Sequence, residues 1–208
     1  IIEQFGVRFM PGQLVQPTPL LQADLIQAIP TDEGAAYWSN LDFIRKNEGC
    51  VAMPGCVGLE YTPTDGITVV PLLSTDTTGC WNRIVATDFV RDSVRYMPET
   101  GDQAGIFTTT LAVTRNVNDL EQRVLIVGNT DFLSNGEFAT GRREVRNFNG
   151  ILKHAAFYWL SHEELPVNTE GDAPIDRKLY VSEAAMEIWS IVFMVVIPVI
   201  LALAGIII

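Results

Sequence analysis

The chain closes on IWSIVFMVVIPVILALAGIII, Ile188 to Ile208, without one charged side chain. At about 1.5 Å rise per residue, a helix needs about 20 such residues to cross a hydrocarbon core of about 30 Å. The run therefore predicts a transmembrane helix. A helix buried in a globular core is usually shorter or carries a polar stripe. Trp189 stands where an interfacial aromatic would stand, and a proline such as Pro198 is tolerated in a bilayer-spanning helix. The small residues Ala202, Ala204 and Gly205 are the kind that let helices approach closely in a membrane. Neither a start Met nor a closing basic residue flanks the chain, so both ends read as cuts through a longer protein.

The rest of the chain is acidic, with 25 Asp and Glu against 14 Lys and Arg and a formal charge of −11, which disfavours a nucleic-acid partner. Between His162 and Ala185 only Arg177 and Lys178 are basic, against Glu163, Glu164, Glu170, Asp172, Asp176 and Glu183. A flank so poor in bases favours the translocated side. The expectation is an extracytoplasmic domain over 1–180, incomplete at its N-terminus, and a membrane-entering and transmembrane helix over 181–208. The corresponding location is the cytoplasmic (inner) membrane, with the domain facing the periplasm or cell exterior and the lipid bilayer as one partner.

Three cysteines, Cys50, Cys56 and Cys80, suit an oxidising compartment. The apolar stretch Cys50–Leu59 and the β-branched stretch Ile67–Leu73 flank a turn-like Thr62-Pro63-Thr64-Asp65-Gly66 and read as strand, turn, strand. If they pair as a hairpin about residue 65, Cys50 and Cys80 meet at its open end as a disulfide candidate. Three unpaired cysteines are the alternative. Zinc fits poorly, because Cys50 and Cys56 are too far apart for a knuckle and neither His154 nor His162 is close in sequence.

Ile106–Thr114 alternates as a strand, and Arg123–Val127, RVLIV, reads as a strand buried on both faces in the manner of a parallel sheet. It runs into Gly128-Asn129-Thr130-Asp131-Phe132-Leu133-Ser134-Asn135. Small polar and acidic residues after a central strand mark the crevice of an open α/β sheet, so Asn129, Thr130, Asp131, Ser134 and Asn135 are the candidates for a ligand or partner site. The alternative is structural, with Asp131 as a cap and Asn135-Gly136 as a tight turn. A helix over Arg142–His162 follows, with Phe148, Ile151, Leu152, Ala155 and Trp159 on one face, giving strand, loop, helix in α/β order. No P-loop, dinucleotide fingerprint or His-Glu-x-x-His pattern occurs in the sequence, and no metal or cofactor is expected.

VLIVGNTDFLSN (Val124–Asn135), NFNGILKHAAFYWLSHEE (Asn147–Glu164) and the closing apolar run resemble the GldG-like auxiliary components of ABC transporters linked to gliding motility, and FGVRFMPGQLV (Phe5–Val15) and VVPLLST (Val69–Thr75) fit the same family. The resemblance implies a three-layer α/β region akin to class I glutamine amidotransferases without their nucleophile, followed by a C-terminal span. It also implies a non-enzymatic, membrane-anchored auxiliary subunit of an ABC-2 type exporter, partnered by a permease and its ATPase subunit and with a periplasmic interaction domain. Cys80 departs from the uncharged polar residue expected in its loop. The competing readings are an extracytoplasmic ligand-binding sensor and a hydrolase using Cys56 or the Asp131 region.

Overall fold

A computed structural model describes residues 2–19, 21–76, 79–90, 94–134, 136–137, 145–164 and 183–207. The chain divides into two compact units, Ile1–Val167 and Asn168–Ile208. The connector expected over Leu165–Pro174 lies outside the described residues, as do positions 142–144 of the helix read from Arg142.

The first unit is built on β9 (Thr108–Val117), which has partners on both edges. Along one edge runs β6 (Ile67–Ser74), antiparallel, with Ile67 opposite Arg115 and Ser74 opposite Thr108. Along the other lies β10 (Leu120–Val127), also antiparallel, and beyond its end β5 (Leu59–Tyr61) meets β9 where Leu59 faces Thr108. The seven-stranded sheet is completed by β1 (Val7–Phe9) on β5, and by β3 (Leu25–Pro30) and β4 (Val51–Pro54) beyond β6.

This architecture overturns the α/β, glutamine amidotransferase-like expectation, because every strand pairing within the two sheets is antiparallel. The RVLIV stretch is the second arm of a hairpin and not a central parallel strand. Its turn, Asn118-Asp119, holds φ at +52° and +62°, the two left-handed positions of a tight type I′ hairpin connection. The apolar run that read as parallel arises because the antiparallel sheet is covered on both sides. On one side Leu125, Val127, Ala112 and Leu72 pack beneath Trp38, Leu41, Ile44, Leu152 and Trp159. On the other, Leu111, Val113 and Ile126 form a separate core with Phe5, Val7 and Leu59. Continuous hydrophobicity reports two-sided burial; it carries no information about strand direction.

The helix-side layer consists of α1 (Asp32–Tyr37), α2 (Ser39–Lys46) and α3 (Asn149–Leu160). Thr31 caps α1, its hydroxyl oxygen accepting from the Gly34 amide at 2.8 Å. In α2, Leu41 and Ile44 turn inward, and in α3 Leu152, Ala155, Ala156 and Trp159 do so, at the spacing of one helical face. The helix α3 begins later than its periodicity suggests because the preceding backbone is already engaged. Cys50 N–H donates to Arg146 C=O and Phe148 N–H to Cys50 C=O, a short parallel bridge between Cys50 and Asn147.

A second, three-stranded sheet joins β2 (Gln13–Val15), β7 (Trp81–Arg83) and β8 (Gln103–Ala104). The chain between β7 and β8 is drawn back by a buried ion pair, Arg83 Nη2 to Asp102 Oδ2 at 2.9 Å. The same Asp102 oxygen accepts from Met97 N–H, and Arg83 also donates to the Arg95 carbonyl.

In the second unit the apolar run is divided among α4 (Glu183–Ile191), a π-helical turn (Val192–Val196) and α5 (Ile197–Ile207). Among the described residues no helix is long and apolar enough to cross a membrane. This corrects the expected transmembrane helix and, with it, the inner-membrane location: hydropathy measured the apolar character of the run but not the change of hydrogen-bond register at Val192 that interrupts its α-helix.

The hairpin turn gives a direct check. Asp119→Val places a β-branched residue at positive φ and is expected to cost about 1–2 kcal/mol, whereas Asp119→Gly should leave stability within about 0.5 kcal/mol, both read as urea midpoints at unchanged slope.

Candidate functional site

The loop after β10 is placed by Gly128. Its N–H donates to Thr109 C=O and its own carbonyl accepts from Val57 N–H, both at 2.8 Å, and a Cβ at this position would overlap the Val57 carbonyl. Asn129 follows with only 8% of its surface exposed. Its amide nitrogen donates to Pro54 C=O, and its amide oxygen accepts from Phe132 N–H at 2.7 Å. Asn149 reinforces this corner from α3, donating to the carbonyls of Ala52 and Phe132 and accepting from Ala52 N–H. Asn129 is therefore an internal brace. Thr130, Asp131 and Ser134 are exposed around the 3-10 turn Asp131–Leu133, and Asn135 lies outside the described residues. Asp131 makes no side-chain cap; the turn closes through its carbonyl, which accepts from Ser134 N–H at 2.8 Å.

The cysteines are buried thiols, and no disulfide forms among the described residues. The hairpin that motivated a Cys50–Cys80 bridge is absent: the turn at Gly66 exists, but β5 leaves it to pair with β1 and β9 while β6 pairs with β9 and β3. Burial pushes the thiols of Cys50 and Cys56 up to about 12 and raises that of Cys80 as well. Cys56 also points its sulfur at the Val57 carbonyl, 3.4 Å away. Burial that favours the neutral thiol works against a nucleophilic role for Cys56. No group of metal-ligating side chains occurs among the described residues.

Two concave surfaces stand out, neither of them legible as a local motif. The first is an aromatic groove between the α1–α2 pair and α3. One end, about 320 Å³, is lined by Tyr37, Trp38, Tyr158 and Trp159; the other, about 400 Å³, is lined by Phe43, Ile151 and His154, and both share Ser39 and Asn40. Ring contacts hold it: Tyr37 meets Trp159 edge-on at 6.3 Å, Trp38 meets it at 5.5 Å, and Phe43 meets Phe148 at 6.1 Å. Arg123 underpins the Trp159 end, donating to the Trp159 carbonyl at 2.8 Å while its guanidinium lies over the indole. Tyr37, Phe43, Phe157 and Tyr158 nevertheless remain substantially exposed.

The second surface is a cleft of about 590 Å³ bordered by β3, the end of α2 and the Cys50–Arg146 hydrogen bond. Its polar lining includes Gln16, Gln27, Arg45, Glu48, Asp76 and Arg146. The two glutamines are ordered: Gln16 Oε1 accepts from Gln27 N–H at 2.7 Å, and Gln27 Nε2 donates to Thr18 Oγ1 at 3.2 Å. Arg45 is neutralised by Asp32 at 2.6 Å and Asp42 at 3.1 Å.

The sequence matches no protein-family model and no curated protein, and no solved structure matches the chain.

The brace and the exposed turn separate by mutation. Asn129→Ala leaves two buried backbone groups without partners and is expected to cost about 2–3 kcal/mol, while Asp131→Asn should stay within about 0.5 kcal/mol, by chemical denaturation.

Proposed function

We propose that the first unit is a non-catalytic contact module, the auxiliary subunit of an ABC-2 type exporter, acting through physical association with a permease and its ATPase. The observation that carries this reading is the aromatic groove. Exposed Tyr and Phe around a concave, rigidly backed surface are the composition of a protein-contact hot spot and are otherwise costly to leave in water. The exposed Thr130, Asp131 and Ser134 of the loop after β10 are a second part of the proposed contact. The choice of partner comes from the GldG-like resemblance. The absence of a P-loop from the sequence supports a division of labour in which the ATPase supplies the energy and this domain biases the permease by binding one of its states more tightly.

The test is co-purification of the chain with its co-expressed permease and ATPase. Phe43→Asp combined with Tyr158→Asp is expected to reduce recovery of the complex at least about tenfold, equivalent to about 1.4 kcal/mol, with the thermal midpoint held within a few degrees. Undiminished recovery by that stable double variant would overturn the reading.

A further inference from the structure

Independently of any protein partner, we propose that the cleft beside α2 binds a short peptide with free termini, of dipeptide size. Two of the charges on its wall, unlike that of Arg45, are not neutralised among the described residues. Glu48 and Arg146 both line it, and neither forms an ion pair with the other or with any other described residue. An anion and a cation held apart on one concave surface are complementary to a ligand that carries an ammonium at one end and a carboxylate at the other.

The backbone of both residues is constrained, and both side chains are exposed. Glu48 adopts φ +50°, an uncommon conformation for a residue with a side chain, two residues past the end of α2. Arg146 is pinned by its carbonyl, which accepts from Cys50 N–H at 3.0 Å, and its guanidinium lies 5.9 Å from the centre of the Phe148 ring. Gly49 makes the arrangement possible, since a Cβ there would overlap that same ring.

On the same cleft, the glutamine pair offers what a peptide bond needs. Gln16 uses its amide oxygen on Gln27 N–H, and Gln27 uses its amide nitrogen on Thr18. The amide nitrogen of Gln16 and the amide oxygen of Gln27 have no partner among the described residues, leaving one donor and one acceptor for the N–H and C=O of a peptide unit. A volume of about 590 Å³ lies within the usual 300–1,000 Å³ range of ligand clefts and exceeds what a single amino acid fills.

Isothermal titration calorimetry with L-alanyl-L-alanine on the full chain tests the assignment, alongside the N-acetylated and the C-amidated dipeptide. The free dipeptide is expected to bind saturably, and blocking either end to weaken binding at least about tenfold. Arg146→Gln should remove the penalty for C-amidation while keeping that for N-acetylation, and Glu48→Gln should do the reverse, the pairwise signature of each contact. No saturable binding up to about 10 mM, or binding indifferent to either block, would overturn the proposal.

Discussion

The structure depends on the position of β9. It is bonded along both edges, to β6 on one side and to β10 and β5 on the other, and it is buried on both faces. Leu111 and Val113 enter one core while Ala112, between them, enters the other. The two cores are therefore coupled through a single strand. The helices that make the aromatic groove rest on one of those cores, and Gly128, which sets the start of the 129–134 loop, is anchored to the β9 carbonyl of Thr109. Loosening β9 would release the loop and the groove floor together.

Much of the local structure was legible because it rests on short-range physics. The alternation from Ile106, the inward face of α3 and the run Arg123–Val127 each mark real elements. The way they assemble was not legible from burial alone, since a strand covered on both sides has the same apolar signature in either direction. The decisive signal was chemical and local: Asn118-Asp119, two residues that tolerate positive φ, between two strand-like runs. The C-terminal run shows the complementary limit. Its composition is apolar throughout, but composition does not fix whether the hydrogen bonds keep one register, and here they change at Val192–Val196.

The candidate site divides in the same way. Asn129 reads as a contact residue because small polar residues after a central strand mark the crevice of an open α/β sheet; its amide instead satisfies two backbone groups, a role that depends on Pro54 arriving from a distant strand. The cleft joins Gln16, Gln27, Glu48 and Arg146 from four separate parts of the chain, and the groove joins Tyr37 and Phe43 with Tyr158. No window of sequence contains either surface. The bridge between Cys50 and Asn147 brings Arg146 to the cleft, and the packing of α3 on the sheet brings Tyr158 to the groove.

Native-state hydrogen exchange tests this account most directly, because the register of β10 on β9 assigns each amide a direction. With a two-residue turn and Leu120 opposite Val117, the amides of Gln122, Val124 and Ile126 point to β9, while those of Glu121, Arg123 and Leu125 point away along an edge to which no other strand among the described residues is paired. Slow exchange is expected at the first three and fast exchange at the other three, with slow exchange throughout Thr109–Val113 of β9. Uniform protection along Arg123–Val127, as for a strand bonded on both sides, would contradict it.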